Sequence, residues 1–304
     1  MNRYDRLMKK SQDKDVILMD GATGTEIERR GVAQLVNAWN GGGAMSDPDT
    51  VIAVHEEYIS KGAEIIISNT FANAKHALRD AGREIDFEQL NYRGVQLAIE
   101  AREKSGFADV VVAGGVSYWT FTGKKPSLSE LSDSVTLQCG IMKEAGADFL
   151  MLEMMVDIDQ MLVTLDAANK SQLPVWIGLT CKPNIKGEIC LRDGDSLETA
   201  IKLVSERNPH VINIMHTDVH DVLPALDILK PLWGGPIGVY AHSGKMIGTR
   251  WTFDDVISPE SYLNFAEKWL GCGVKFIGGC CGINANHIGL LSEAIRKRHG
   301  IKPN

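Results

Sequence analysis

Eight short runs in this 304-residue chain are apolar without alternation, and several follow closely on a glycine that ends a helical pattern. The phrase recurs as Lys61-Gly-Ala-Glu-Ile-Ile-Ile-Ser68, Ala145-Gly-Ala-Asp-Phe-Leu-Met-Leu152 and Cys272-Gly-Val-Lys-Phe-Ile-Gly278. Gly is a common helix stop, and a run that is apolar throughout needs cover on both faces, which is the environment of a parallel sheet. The eight predicted strands are residues 15–21, 64–70, 109–115, 148–154, 175–181, 210–216, 236–242 and 275–281. Between them, residues 49–61, 90–104, 157–168, 196–206, 219–229 and 259–270 place apolar side chains three and four apart, the helical period. Strand and helix alternating eight times without a compositional break predicts an α/β fold, one (β/α)8 TIM barrel over residues 1–304, in preference to a doubly wound sheet. Segments 41–47 and 120–129, rich in small or polar residues, are expected to be loops that roof the barrel mouth.

The charge balance narrows the partners. A formal net charge of -7 with no basic stripe argues against nucleic acid and anionic membrane surfaces. No apolar run follows the basic residues of Met1-Asn-Arg-Tyr-Asp-Arg-Leu-Met-Lys-Lys10, and none approaches the roughly 20 residues of a membrane span. Six cysteines, Cys139, Cys181, Cys190, Cys272, Cys280 and Cys281, are too few and too scattered for a disulfide framework in a chain this long. A soluble protein of the reducing cytoplasm is expected.

In a (β/α)8 barrel, chemistry sits at the C-terminal ends of the strands. Those ends carry Asp20, Asn69, Thr70, Ser117, Tyr118, Glu153, Thr180, Cys181, Met215, His216, Tyr240, His242, Cys280 and Cys281. The vicinal pair Cys280 and Cys281 carries the most information. Neighbouring side chains on a strand point to opposite faces, so two adjacent thiols meet one ion only where the backbone leaves strand geometry, which Gly278, Gly279 and Gly282 permit. Thiolates suit zinc at about 2.3 Å, and the pair reads as half of a zinc site. The alternative is a pair of small buried residues at a tight turn. Asp20 and Glu153 each end an apolar run, where a charge is costly unless paired; a ligand ammonium would pair it, as an ordinary turn or helix cap also could. The run Gly21-Ala-Thr-Gly-Thr25 lacks the lysine and spacing of a phosphate cradle and is expected to be a structural turn.

Through Met19-Asp-Gly-Ala-Thr-Gly-Thr25, Ile67-Ser-Asn-Thr-Phe71, Leu150-Met-Leu-Glu153, Leu191-Arg-Asp-Gly194 and above all Ile277-Gly-Gly-Cys-Cys-Gly282, nearly the whole chain resembles the homocysteine S-methyltransferase family. The resemblance implies methyl transfer from a small sulfonium or quaternary ammonium donor to the thiol of homocysteine, giving methionine. It also implies zinc held by Cys280, Cys281 and a third cysteine at the end of the sixth strand, with Asp20 and Glu153 on the amino acid. Donor charge can be held over aromatic faces, for which Trp39, Phe71, Tyr118, Trp119, Tyr240 and Trp251 are candidates; Thr70 joins the expected binding residues.

Two departures qualify these expectations. Where the family reads Val-Asn-Cys, this chain has Ile212-Asn-Ile-Met-His216, so Met215 takes the place of the third thiolate. A thioether is a weak neutral ligand, which leaves three alternatives: His216 supplies a nitrogen, two cysteines hold the metal weakly, or the site serves another use. The third strand reads Ala113-Gly-Gly-Val-Ser-Tyr-Trp119 in place of Gly-Ser-Ile-Gly-Pro, which alters the donor pocket. The competing functions are a relative acting on a different methylated substrate or acceptor, and a catalytically silent binding barrel. Neither donor nor oligomeric state follows from the sequence.

Overall fold

The computed structural model describes residues 1–13, 15–247, 250–252 and 256–298, with side chains omitted at 245–247 and 250–252. Eight parallel strands form the barrel: β1 Ile17–Leu18, β2 Ile65–Ile67, β3 Val111–Val116, β4 Phe149–Met155, β5 Val175–Leu179, β6 Val211–Asp218, β7 Ile237–His242 and β8 Phe276–Gly279. Neighbours in sequence are neighbours in the sheet, and β8 returns to β1. Between β1 and β2 the seam is closed by the Met19–Ile65 bridge, where Asp20 N–H donates to Ile65 O at 2.9 Å and Glu64 N–H to Leu18 O at 2.8 Å. Each strand falls on a predicted run, because residues buried on both faces have to be apolar on both.

Side chains sort by parity. Ile17, Ile65, Val111, Phe149, Met151, Trp176, Val211, Met215 and Phe276 fill the barrel, while Ile66, Val112, Leu150, Ile177, Ile212 and Ile277 pack outward under the helices. Near the N-terminal ends of the strands, Trp176 stacks between Phe149 and Phe276 at ring-centroid distances of 4.5 and 4.4 Å. The opening helix Arg3–Gln12 closes this floor. Tyr4 and Leu7 are buried, Trp176 Nε1–H donates to the Tyr4 hydroxyl at 2.8 Å, and that hydroxyl shares a 2.8 Å hydrogen bond with His210 Nδ1.

The six predicted helices appear as Pro48–Ser60, Phe87–Ser105, Ile158–Asn169, Leu197–Ser205, Val222–Leu229 and Pro259–Gly271, and Ala285–Arg298 follows β8. The expected loops are partly helical. Segment 41–47 holds the short helix Gly43–Ser46, and segment 120–129 runs into the helix Leu128–Glu144. Ser127 caps that helix in a box with Glu130, which satisfies two otherwise orphaned backbone donors. A hairpin of Cys181–Pro183 and Ile189–Leu191 follows β5, and another of Lys245–Ile247 and Arg250–Thr252 follows β7. No helix among the described residues is long and apolar enough to cross a membrane.

Candidate active site

Two irregularities in the barrel aim its polar groups. Strand pairing shifts between Leu152 and Met155 on β4 and between Met215 and Asp218 on β6. Each shift contains a non-glycine residue in the left-handed region, Met154 at φ 60° and His216 at φ 48°. That conformation costs on the order of 1–2 kcal/mol for a residue with a Cβ, and bulges of this kind redirect side chains at functional sites. On β6, Val211 and Met215 face the interior while Ile212 and Ile214 face the helices. Simple alternation would send His216 outward; the left-handed kink brings it inside.

There it joins two other elements. His216 Nε2 lies 3.1 Å from Glu153 Oε2, and His216 Nδ1 shares a 2.9 Å hydrogen bond with Cys280 Sγ. Cys280 Sγ and Cys281 Sγ are 3.7 Å apart. Both thiols are buried, and they follow the end of β8 in a turn fixed by backbone: Cys280 N–H donates to Ala241 O at 2.7 Å and Ser243 N–H to Cys281 O at 2.9 Å. Gly282 turns the chain at φ 84°, with the Ser243 carbonyl where a Cβ would stand. Burial pushes the Cys280 thiol well up, and Cys281 and then Glu153 add to the effect, so without a cation it stays protonated.

Glu153 occupies space left open by Gly115 of β3, where a Cβ would come 2.6 Å from its Oε1. A carboxylate has about four acceptor sites, so His216 leaves Oε1 with capacity for a further donor. Asp20 is fully buried just past β1. Its Oδ2 accepts from Ile67 N–H at 2.8 Å and its Oδ1 from the Tyr240 hydroxyl at 2.9 Å. Burial raises its pKa well above the usual carboxylate range; those hydrogen bonds oppose the rise, and the nearby Glu153 charge adds to it.

The remaining sequence candidates divide. Tyr240 is hydrogen-bonded into the cluster, and its ring lies 6.4 Å from His216. The Phe71 ring is 5.6 Å from that of His216 and meets Trp39 edge-on at 6.5 Å, so these rings form one contact chain. Thr70 is fully buried and donates to Gly115 O at 2.7 Å, beneath Glu153. Tyr118 stands apart: its buried hydroxyl donates to Asp157 O at 3.2 Å and accepts from Val156 N–H at 2.7 Å, tying β3 to the end of β4. Trp119 is half-buried with the Arg192 guanidinium over its ring. The Trp251 side chain lies outside the described residues. Met215 is in the barrel interior with its sulfur over Gly178, so the partner hydrogen-bonded to Cys280 from β6 is His216.

Among the described residues, no three His, Cys, Asp or Glu side chains stand ready in metal-holding geometry. The chemistry of the donors nevertheless suits a borderline-soft cation: two thiols 3.7 Å apart and an imidazole nitrogen whose other nitrogen is held by a carboxylate.

A barrel whose mouth gathers two thiols, an imidazole and two buried carboxylates is built for chemistry on a small polar molecule. A sequence model of the homocysteine S-methyltransferase family matches residues 17–295. Homocysteine S-methyltransferase 1 of Arabidopsis thaliana is 25% identical over 309 residues, covering 92% of this chain and 94% of that protein. The selenocysteine Se-methyltransferase of Brassica oleracea var. italica is 22% identical over 315 residues, covering 93% and 90%. Among solved structures, the metallated form of the homocysteine methyltransferase MmuM from Escherichia coli superposes with a TM-score of 0.79 at 22% identity, over 96% of this chain and 100% of that one. The chain belongs to the homocysteine S-methyltransferase family and is a methyltransferase.

Proposed function

We propose that this methyltransferase moves a methyl group from a small sulfonium or quaternary ammonium donor to the thiol of homocysteine, giving methionine. The observation that carries this is the convergence of Cys280, Cys281, Glu153 and Asp20, from the ends of β1 and β4 and the turn after β8, on one buried mouth. Glu153 and Asp20 sit close enough for their charges to interact, and an ammonium placed between them relieves both the repulsion and the burial of negative charge. The acceptor's amino end is thereby fixed while its sulfur reaches the Cys280 side. Phe71, Trp39 and Tyr240 are the rings near His216 whose faces could hold a positively charged donor. Displacement at a methyl carbon moves no proton, so alignment and exclusion of water are the protein's contributions.

Cys280, Cys281 and His216 would hold zinc, with Glu153 orienting the imidazole. Zinc bound there supplies a cation that keeps thiols deprotonated near neutral pH. The test is methionine formation from homocysteine across sulfonium and quaternary ammonium donors, run with elemental analysis of protein purified under reducing, anaerobic conditions. Activity with at least one donor and about one zinc per chain supports the assignment. Metal-free protein that added zinc fails to activate, with no methionine from any donor, refutes it.

A further inference from the structure

Asp20 and Glu153 match an ammonium, but a zwitterionic amino acid also carries a carboxylate, and among the described residues the cation available for it is Arg192. Arg192 follows the hairpin of Cys181–Pro183 and Ile189–Leu191. Its N–H donates to Thr180 O at 2.9 Å, and the next residue's N–H donates to Val156 O at 3.0 Å, so the segment is strapped to two strand ends. Asp193 turns its carboxylate to Lys125 at 2.7 Å, and Lys125 also reaches Asp157 at 3.1 Å. Arg192 has the opposite fate. Its guanidinium lies 5.5 Å from the centroid of Trp119, half-buried, and the salt bridges among the described residues give it no carboxylate.

The ring under it is held in turn. Trp119 N–H donates to Ser117 Oγ at 3.1 Å, and the Trp119 carbonyl lies 3.1 Å from His76 Nε2. The position is functional in its neighbours as well. Arg192 is near enough to His242 for its charge to bear on that imidazole, and His242 hydrogen-bonds the backbone of His216, which touches both Glu153 and Cys280. A guanidinium braced on an indole keeps its planar fork fixed, which favours bidentate recognition of a carboxylate over a loose charge contact.

We propose that Arg192, braced on Trp119, is the receptor for the carboxylate of a small molecule bound at the barrel mouth and sets the enzyme's preference for carboxylate-bearing substrates. This rests on the thiol-methylation assignment for the site and adds to it a residue for the second charge. Two molecules could bring that carboxylate, the acceptor amino acid or a carboxylate-bearing onium donor. Two probe pairs separate them: homocysteine against 3-aminopropanethiol, and glycine betaine or S-methylmethionine against their analogues lacking the carboxylate.

Binding of each probe to wild type, Arg192→Gln and Arg192→Lys is measured by calorimetry, with methyl-transfer kinetics alongside. Arg192→Gln is expected to weaken the carboxylate-bearing member of one pair by roughly 10- to 100-fold, with the truncated member within about 2-fold, and Arg192→Lys is expected to fall between. Selective loss in the thiol pair places the acceptor's carboxylate on Arg192; selective loss in the donor pair places the donor's there. Equal losses for both members of each pair, or no loss in either, overturn the proposal. Wild type that binds neither thiol overturns the acceptor assignment instead, and the donor pair then decides Arg192 by the same criterion.

Discussion

Replacing Asp20 by Asn should make the unliganded protein more stable and the enzyme worse. Asp20 is fully buried, and burial raises its pKa well above the ordinary carboxylate range. With the native-state pKa above the unfolded value of about 3.9, the unfolded chain releases its proton first, so Asp20's contribution is complete below that pH and is lost as pH rises through the native pKa. The slope is about 1.4 kcal/mol per pH unit across that window. An asparagine side chain can keep both contacts: its oxygen can accept from Ile67 N–H, and its amide can donate to the Tyr240 hydroxyl, whose one proton is then free to go to Gly21 O at 2.8 Å. The Asp20→Asn substitution therefore removes the ionisation while keeping both side-chain contacts of residue 20. Urea unfolding of both proteins at several pH values from about 4 upward should show a gap that favours the variant and widens until the native carboxyl has ionised, while kcat/KM for the acceptor falls. A gap that is flat with pH, or a variant less stable throughout, would refute the placement of a protonated, ammonium-awaiting carboxylate at this position.

Glu153→Gln should raise the acceptor KM or lower kcat/KM at a cost of about 1–3 kcal/mol, since a buried ammonium loses an ionic partner; unchanged steady-state kinetics would remove Glu153 from the binding site. Zinc content separates the ligand sets: Cys280→Ala, Cys281→Ala and His216→Ala should each lose metal on elemental analysis, and Met215→Leu should keep it. The opposite pattern for the last two would make the thioether the ligand. His55 is fully buried on the helix Pro48–Ser60, neither ring nitrogen has a hydrogen-bond partner among the described residues, and burial lowers its pKa to about 4. Its neutral form is stabilising above pH 6.5, and about 3 kcal/mol is lost as pH falls from there through 4. His55→Leu should flatten that acid limb in thermal unfolding curves; an unaltered acid limb would show that His55 is not what the fold protects from charge.

Legibility in the sequence followed from how many residues share a constraint. Strands such as Phe149–Met155 are buried on both faces over their whole length, and no other element produces that pattern so compactly. The thiol turn was readable because Gly282 has to adopt a positive φ and admit a carbonyl where a side chain would stand. His216 was harder. Its inward aim comes from a left-handed residue that is neither Gly nor Asn, and no residue type announces such a kink. The same holds for Met154 after Glu153. The helix Leu128–Glu144 did have a signal, the Ser127–Glu130 capping box, hidden at the end of a stretch of small and polar residues. Arg192 gave no local sign of its role, because Trp119, the ring that braces it, lies 73 positions away and meets it only once β3 and β5 close into the barrel.

The floor sealed by Tyr4 and Leu7 has a kinetic consequence. With aromatic rings from Phe149 to Phe276 packed above that plug, the floor is shut among the described residues, and Glu153 and Cys280 are approached from the doorway at the strand ends. A two-substrate reaction behind one doorway imposes a queue: whichever molecule lies deeper cannot leave until the one above it has gone. For the proposed methyl transfer, the demethylated donor and the methylated product would leave in a fixed order, which product-inhibition patterns would report.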